Sequence, residues 1–441
     1  MTDFISELQW RGRLAQCTDE TGLRKHLATG TRRCYIGFDP TADSLTVGNL
    51  VQIITLALVQ RSGHVPVVVV GGGTGLIGDP SGKTAERTLR TRDEVNANVE
   101  SQKRIYDRIL DFSAGAKYRA ILLNNADWLC ELSYLDALRD IGKHFSVNMM
   151  IQKDSVRERL HNRDQGISYT EFSYMILQAY DFLHLYEKHG VTIQSGGSDQ
   201  WGNIVAGTDL VRKKHAADGE SSSAESFGLT TQLITKSDGG KFGKTESGAI
   251  WLTANRPGES AANRTSPYAF YQFWLNTADA DIPKFLRTFT LLSHADIESL
   301  EATHAAIPGQ RDAHRALARH MTTLLHGETE TQHAESAAKA LFSGEIASLP
   351  ADLLTEVLAS APSTSHDKAT LSAGIPLVDL LVTTQLAQSK REAKEFLQGG
   401  SVTLNGRKVG PDDKATTADL LHGSVIALRR GKKAWHVTRW A

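Results

Sequence analysis

The sequence predicts an α/β chain in three parts: a parallel-sheet domain, an α-helical domain, and a small α+β domain. Three observations predict this. Short β-branched apolar runs alternate with helical spacing of apolar residues through the first half. An aromatic-rich stretch with helical spacing follows, from about Thr265 to His326. A basic C-terminal segment then carries a helix capping box and a hairpin signal.

Residues 1–30 read as a helical N-terminal segment. Cys34-Tyr-Ile-Gly-Phe38 reads as a buried strand, closed by a turn at Asp39-Pro40-Thr41. From Ser44 to Arg61, Leu45, Val47, Leu50, Ile53, Ile54, Ala57 and Leu58 recur at helical spacing. Asp43 or Ser44 is the expected N-cap. Val65-Pro-Val-Val-Val-Val70 is the second strand. Strand, helix and strand in this order make a right-handed unit with a parallel sheet. Arg119–Asn124 and Val191–Ser195 add two strands, and a helix opens near Ser198-Asp199. Tyr35–Asp39, Gly71–Asp79 and Gln194–Gln200 are then expected together at the carboxyl edge, where open α/β sheets bind ligands.

The expected boundaries follow composition. Residues 1–225 form the sheet domain, closed by the polar loop His215–Glu225. Residues 226–260 are a linker carrying Lys241-Phe-Gly-Lys-Thr245, and 261–330 the helical domain. Residues 331–370, with Ala-Pro-Ser-Thr-Ser-His, read as a second linker. In 371–441, Pro376–Ala387 is an amphipathic helix, and Ser389-Lys-Arg-Glu392 is a capping box for a helix that stops at Gly399-Gly400. Asn405-Gly406 supplies a type I′ turn inside Ser401–Val409.

The 441 residues carry 49 basic and 50 acidic side chains, so the average charge points to no polyanion. The distribution does. Residues 371–441 hold 11 Lys and Arg against 6 Asp and Glu, and the rest of the chain is net acidic. A basic tail on an acidic chain fits nucleic acid, although a solvated basic face has the same composition. Cys17, Cys34 and Cys130 lie far apart, which fits reduced thiols in a cytoplasmic protein better than a disulfide frame or a zinc site. No metal-ligating residues are assigned. No apolar run reaches membrane-spanning length, and the acidic N-terminus lacks the basic region of a signal peptide.

Four segments carry candidate chemistry. Gly71-Gly-Gly-Thr-Gly-Leu-Ile-Gly-Asp-Pro-Ser-Gly-Lys83 follows a buried strand, so its glycines let backbone come close to a ligand. Asp79 at its rim is placed to hold an ammonium group. In Asp39–Leu50, Gly48 admits a flat ring, and Thr41, Thr46 and Asn49 offer neutral donors near a helix N-terminus, a place suited to phosphates. Alone this segment reads rather as an ordinary capped helix packed on the sheet. Tyr174, Gln178 and Asp181 share one helix face, a polar stripe that is either solvated or buried with partners. Gly196-Gly-Ser-Asp-Gln-Trp-Gly-Asn203 is a second glycine turn opening a helix. Lys241 and Lys244, flanked by glycines, make a mobile cationic clamp for developing phosphoryl charge, or else a plain basic loop.

Taken in order, Y-x-G-F-D-P-T-A-D-S-L, G-x-T-G-L-I-G-D-P-S-G-K, T-E-F-S-Y-x-x-L-Q-A-Y-D, G-G-S-D-Q-W-G-N and K-F-G-K-T resemble the class I aminoacyl-tRNA synthetases. Within them the likeness is to the bacterial-type tyrosyl-tRNA synthetases, over nearly the whole chain. The resemblance implies a Rossmann-type catalytic domain and a C-terminal RNA-binding module like one in a ribosomal protein. It implies activation of L-tyrosine by ATP, with Mg²⁺ accompanying the nucleotide, and transfer to tRNA(Tyr). It further implies a homodimer, with an interface insertion near 129–165, and neither DNA nor membrane as a partner.

The implied roles are these. Tyr35 and Asp181 bind the phenol hydroxyl, and Asp79, Tyr174 and Gln178 hold the α-ammonium. Gln200 lies near the amino-acid carboxylate. Gly37, Asp39, Gly48, Asn49, Gly197 and Asp199 line the adenosine site. Thr41, Thr46, Lys83, Arg87, Lys241, Lys244 and Thr245 face the pyrophosphate or the tRNA end. A buried polar pair such as Tyr35 and Asp181 rejects an analogue lacking the hydroxyl, a rule whose usual worked example is tyrosyl-tRNA synthetase itself.

One signature departs from the family. Its usual His-x-Gly-His reads Thr46-Val-Gly-Asn49 here. Asn49 keeps a neutral donor, whereas Thr46 gives up an imidazole for one short hydroxyl. ATP activation is expected to survive in weakened form. A tryptophanyl-type enzyme would lack the Tyr35–Asp181 pair. A non-catalytic RNA-binding descendant would have no use for a phenol pocket.

Overall fold

A computed structural model describes residues 3–79, 90–153, 156–157, 167–217, 225–240, 242–245, 248–255, 262–359, 361–431 and 434–441. They form two compact units. One runs to Ser266 and resumes over Phe273–Leu325, and the other comprises Pro267–Gln272 and His326–Ala441.

The first unit is built on six strands: β1 (Leu14–Cys17), β2 (Arg33–Phe38), β3 (Val65–Val70), β4 (Ile121–Asn124), β5 (Val191–Gly197) and β6 (Phe227–Thr231). Their order is β1-β6-β5-β2-β3-β4. All neighbours are parallel except β1, which closes the β6 edge antiparallel. β3 is apolar and almost wholly buried because both faces of a parallel sheet are covered. Chain order reverses between β2 and β5, which opens the crevice where such sheets take ligands.

α1 (Phe4–Trp10) and α2 (Glu20–Ala28) flank β1 in sequence. α3 (Val47–Arg61) links β2 to β3 and buries Val47, Leu50, Ile53, Ile54 and Ala57. α4 (Arg92–Tyr106) precedes β4. α5 (Tyr169–His189) ends at Gly190 in the left-handed conformation and feeds β5, and α6 (Trp201–Ala217) feeds β6. Short strands β7 (Lys244–Thr245) and β8 (Gly248–Ala249) pair as a hairpin. α7 (Pro267–Leu275), α8 (Ile282–Phe289), α9 (His294–Ala306) and α10 (Asp312–His326) follow.

Two expectations are corrected here. The N-terminal segment is not all helix, because Leu14–Cys17 is a strand held by hydrogen bonds to Leu229–Thr231. The sheet does not end at residue 225 either. Phe227–Thr231 is its fifth parallel strand, paired to Ile193–Gly197, so the stretch expected as linker begins inside the sheet.

The second unit holds a five-stranded sheet, β12-β11-β14-β15-β9. Its strands are β9 (Ser363–His366), β11 (Val402–Leu404), β12 (Arg407–Lys408), β14 (Val425–Arg430) and β15 (Ala434–Trp440), with β10 (Ile375–Pro376) and β13 (Lys414–Ala415) paired beside it. Residues 331–370 are not a linker. They carry most of α11 (Glu328–Ser343), all of α12 (Ala351–Val357), and β9, which pairs parallel with β15. The buried sides of Ala334, Ala337, Leu354 and Val357 explain why that stretch holds structure despite its polar composition. α13 (Leu377–Thr383) and α14 (Lys390–Gln398) close the apolar core, and Ser389 caps α14 through the Glu392 amide. Asn405 and Gly406 take positive φ of 49° and 88° in the β11–β12 hairpin, as the Asn-Gly turn requires.

Candidate active site

The site is assembled where β2, β3, β4 and β5 end. Tyr35 points into the apolar layer beneath α5, 2% exposed, with its ring centroid 5.6 Å from that of Phe182. Its hydroxyl has no hydrogen-bond partner among the described residues. Burial raises the Tyr35 pKa well above the ordinary phenol, and the negative charge of Asp181 adds to the effect.

Asp181 is buried on α5 and accepts from Asn125 Nδ2 at 2.9 Å and Trp128 Nε1 at 2.7 Å. Desolvation pushes its pKa up to about 7, against the lowering effect of those two hydrogen bonds. Asn125 and Trp128 had not been singled out in the sequence. They belong to the segment after β4, so the strand-end rule that located the other segments applied equally to this one.

Asn125 also braces the glycine loop. Its Oδ1 accepts from the Gly73 amide at 2.8 Å, and its Nδ2 reaches Thr74 Oγ1 at 3.0 Å. Thr74 Oγ1 donates to Asp39 Oδ1 at 2.7 Å, and Tyr174 donates from its hydroxyl to Asp39 Oδ2 at 2.8 Å. One polar chain therefore runs from Asp181 through Asn125 and Thr74 to Asp39 and Tyr174. Gly71 is required inside it: a Cβ there would collide with Asp39 Oδ1 and stand 2.5 Å from Thr74 Oγ1.

A second polar cluster spans the crevice. Gln200 Nε2 donates to Asp79 Oδ2 at 2.7 Å, joining the rim of the β3 loop to the end of β5. Asn203 Nδ2 donates to Gln178 Oε1 at 2.8 Å. Asp199 stands near Asp79, and desolvation together with that second carboxylate raises its pKa. Tyr174, Gln178 and Asp79 thus sit at one mouth but bond to different partners, Tyr174 to Asp39 rather than to Asp79.

Asn49 folds back onto Thr46 at the start of α3. Asn49 Oδ1 accepts from the Thr46 amide at 3.0 Å and the Thr46 hydroxyl at 2.9 Å. The Thr46 hydroxyl is thereby turned onto Asn49. The lysine-loop segment docks here through Val47 N–H to Ile250 O at 3.1 Å and Ile250 N–H to Gly243 O at 3.0 Å. Gly243 has φ +78°, and a Cβ there would lie 2.6 Å from Val47 Cγ2. Phe242 is packed among Phe273, Trp274, Phe285 and Phe289 at 5.0–6.0 Å between ring centroids. An aromatic anchor thus lies between the two lysines of the expected mobile clamp.

Thr41 lies at the β2 edge, and its carbonyl accepts from Arg90. Gly37 and Gly48 are exposed. Among the described residues, chain neighbours aside, no atom stands within 4 Å of a Cβ built on Gly37, and only Thr46 Oγ1, at 3.5 Å, approaches one on Gly48. Gly197 is buried against Asp199. Lys244 and Thr245 are placed by backbone in β7. Lys83, Arg87 and Lys241 fall outside the described residues.

A parallel sheet with its switch point at a glycine loop, a Thr-x-Gly-Asn turn opening the first crossover helix, and Phe242 and Gly243 docked beside it make up the edge on which the comparison with known proteins bears. Residues 27–343 match the family tRNA synthetases class I (W and Y), and the chain belongs to it. Residues 354–438 match the Tyrosine--tRNA ligase SYY-like C-terminal domain. The chain is 48% identical to a Tyrosine--tRNA ligase of Roseiflexus castenholzii over 441 residues, 100% of each. It is 48% identical to one of Bacillus caldotenax over 440 residues, again 100% of each. A C-terminally truncated mitochondrial tyrosyl-tRNA synthetase of Aspergillus nidulans has a similar structure, with TM-score 0.66, 28% identity, and coverage of 78% of this chain and 95% of that one. Within class I the chain thus belongs to the tyrosine–tRNA ligases, enzymes that use ATP to join an amino acid to tRNA.

Proposed function

We propose that the polar chain from Asp181 to Tyr174 is the amino-acid pocket, and that it reads tyrosine by its phenol. The observation that carries this is the pairing of a buried, unpartnered Tyr35 hydroxyl with a buried Asp181 carboxylate at the switch point. A phenol hydroxyl arriving there gives the Tyr35 hydroxyl the acceptor it lacks and adds a third donor to Asp181, beside Asn125 and Trp128. It accepts from Tyr35 and donates to Asp181. A phenylalanine ring supplies neither and leaves both desolvated.

Asp79, Tyr174 and Gln178 then receive the ammonium group, and Gln200 stands beside the carboxylate. Two exposed glycines support an adenosine site along the same edge. Among the described residues the packing demands no glycine at Gly37 or Gly48, which fits an approaching ring and ribose. Asp39, Gly197 and Asp199 border that space. In this reading Thr41, the Asn49 amide and the lysines of the two loops serve the phosphates, and Thr46 orients Asn49 through its hydroxyl. ATP enters as its magnesium complex, with the ion carried on the phosphates.

The carboxylate oxygen of tyrosine attacks the α-phosphorus, the bond to the β-phosphate bridging oxygen breaks, and pyrophosphate leaves. A tRNA terminal ribose hydroxyl then attacks the acyl carbon of tyrosyl-adenylate, and AMP leaves. No side chain acts as nucleophile, so the rate comes from positioning and from donors aimed at developing charge.

The enzyme works as a homodimer in this reading. Of nine exposed large apolar side chains among the described residues, seven fall between Tyr134 and Tyr169: Tyr134, Leu135, Leu138, Val147, Met149, Ile151 and Tyr169. Such a concentration fits a covered surface. The helices of 261–330 and the basic segment 371–441 hold tRNA(Tyr). We place the enzyme in the cytoplasm, in keeping with three unpaired cysteines. No helix of the described residues is long and apolar enough to cross a membrane.

Tyrosine and phenylalanine titrations by calorimetry test the pocket. Wild-type protein is expected to bind tyrosine only, and Asp181→Ala to lose that preference. Equal binding of both amino acids by wild type would refute the assignment.

A further inference from the structure

The helices after the sheet hold a cluster that the ligase reaction does not use. Asp279 lies on the turn before α8, His304 in the last turn of α9, and His314 in the first turn of α10. One nitrogen from each imidazole and one Asp279 carboxylate oxygen lie within 4.8 Å of one another. The two rings meet edge to face with centroids 5.3 Å apart. His314 Nε2 stands 3.1 Å from Asp279 Oδ1.

The hydrogen bonding is incomplete in a specific way. His304 Nε2 faces the Asp279 carbonyl at 3.0 Å, and His314 Nε2 faces the Thr277 carbonyl at 3.1 Å. A carbonyl requires an N–H opposite it, so a neutral ring is protonated at Nε2 and keeps a lone pair at Nδ1. Both Nδ1 atoms are buried and have no hydrogen-bond partner among the described residues. His314 is fully buried and His304 is 9% exposed. Buried nitrogen lone pairs without donors are uncommon, because each one forfeits its hydration.

We propose that Asp279, His304 and His314 bind a borderline divalent cation of the zinc class that ties the starts of α8 and α10 to the end of α9. Imidazole nitrogen with carboxylate oxygen is a donor set that zinc, cobalt and nickel accept. A backbone carbonyl holding the second nitrogen of each ring is the usual outer support of a metal-bound histidine. A tetrahedral ion needs its ligand atoms about 3.4 Å apart, given bonds of about 2.0–2.1 Å. The Asp279 side chain is 61% exposed and stands against His314 Nε2, so binding requires its carboxylate to leave that nitrogen and approach the two Nδ1 atoms. Solvent supplies the fourth ligand. The site is structural and lies apart from the ligase pocket. Sequence patterning could not find it, since its three residues come from three separate elements and match no spaced motif.

The test uses the full-length protein stripped of metal by chelator dialysis. Zn²⁺ is titrated by calorimetry, Co²⁺ by visible absorption, and thermal unfolding is followed with and without Zn²⁺. The variants are Asp279→Asn, which alters only an exposed side chain, and His304→Gln. We expect one Zn²⁺ per chain, a tetrahedral Co²⁺ spectrum, and a Tm raised by Zn²⁺. In both variants the affinity should fall by at least about tenfold, since even outer-shell losses cost that much, and the spectrum should disappear. Absence of a stoichiometric ion would overturn the proposal. So would a bound ion whose affinity and spectrum are unchanged in Asp279→Asn.

Discussion

Replacing Tyr35 by Phe should separate folding from recognition, because its hydroxyl is an asset to one and a liability to the other. In the free protein that hydroxyl is buried without a partner. An unsatisfied buried hydroxyl costs about 1–3 kcal/mol, so deleting it should stabilise the fold by about 1 kcal/mol or more. The ring remains against Phe182, so no cavity opens. Tyrosine binding should move the other way. Loss of one neutral hydrogen bond of about 0.5–1.5 kcal/mol weakens the affinity by roughly twofold to twelvefold. Phenylalanine affinity should rise or hold, because one unpaired group is gone. Urea unfolding measures the first effect and calorimetric titration the second. A variant less stable than wild type by more than about 1 kcal/mol would refute the reasoning about the free hydroxyl. Unchanged tyrosine affinity would remove Tyr35 from the phenol site.

Other expectations rest on the same geometry. Asp181 has a folded pKa of about 7 against an ordinary carboxyl value of 3.8, so the folded state holds a proton that the unfolded state releases between them. Its contribution to stability is therefore greatest below pH ~4, declines as pH rises to ~7, and can total about 4 kcal/mol at most. Urea midpoints from pH 4 to 8 should show a flatter decline in Asp181→Asn. Asn125→Ala should weaken tyrosine binding by more than tenfold, since it removes a donor to Asp181 and the brace on the Gly73 amide; binding within twofold of wild type would contradict this. Gly37→Ala should leave the urea midpoint unchanged or slightly raised, because strand glycine costs roughly 0.5–1 kcal/mol, while KM for ATP rises severalfold. Phe242→Ala empties a site among four rings, which should lower stability by about 3 kcal/mol and reduce ATP use through the loosened loop.

The parallel sheet and its ligand edge were legible because buried strands and glycine loops leave strong local signals. Val65–Val70 and Gly71–Asp79 are the clearest case. β1 and β6 were not legible. Leu14-Ala-Gln-Cys17 is short and half-exposed, and Phe227-Gly-Leu-Thr-Thr231 follows a polar loop that looks like a boundary. Both become strands only through each other and through β5. Residues 331–370 hide for a similar reason, since the polar strand Ser363–His366 is defined by its partner β15 rather than by its own pattern. In the site, the sequence singled out residues that the structure brings to the strand ends, and Tyr174, Gln178 and Asp181 do share α5. Their pairings were not. That Tyr174 bonds Asp39, or that Asn125 serves both Asp181 and Gly73, depends on distances that no spacing rule encodes. The same holds for Thr46, whose hydroxyl the sequence offered to a phosphate and the structure gives to Asn49.

The central claim is that this pocket selects tyrosine by its phenol and activates it with ATP despite Thr46 and Asn49. Tyrosine-dependent exchange of pyrophosphate into ATP, with phenylalanine and tryptophan in parallel, tests it most directly. Exchange with tyrosine alone is the expected result. Exchange with phenylalanine at a comparable rate would contradict the role of Tyr35 and Asp181, and no exchange in folded protein would show that the altered signature no longer supports activation.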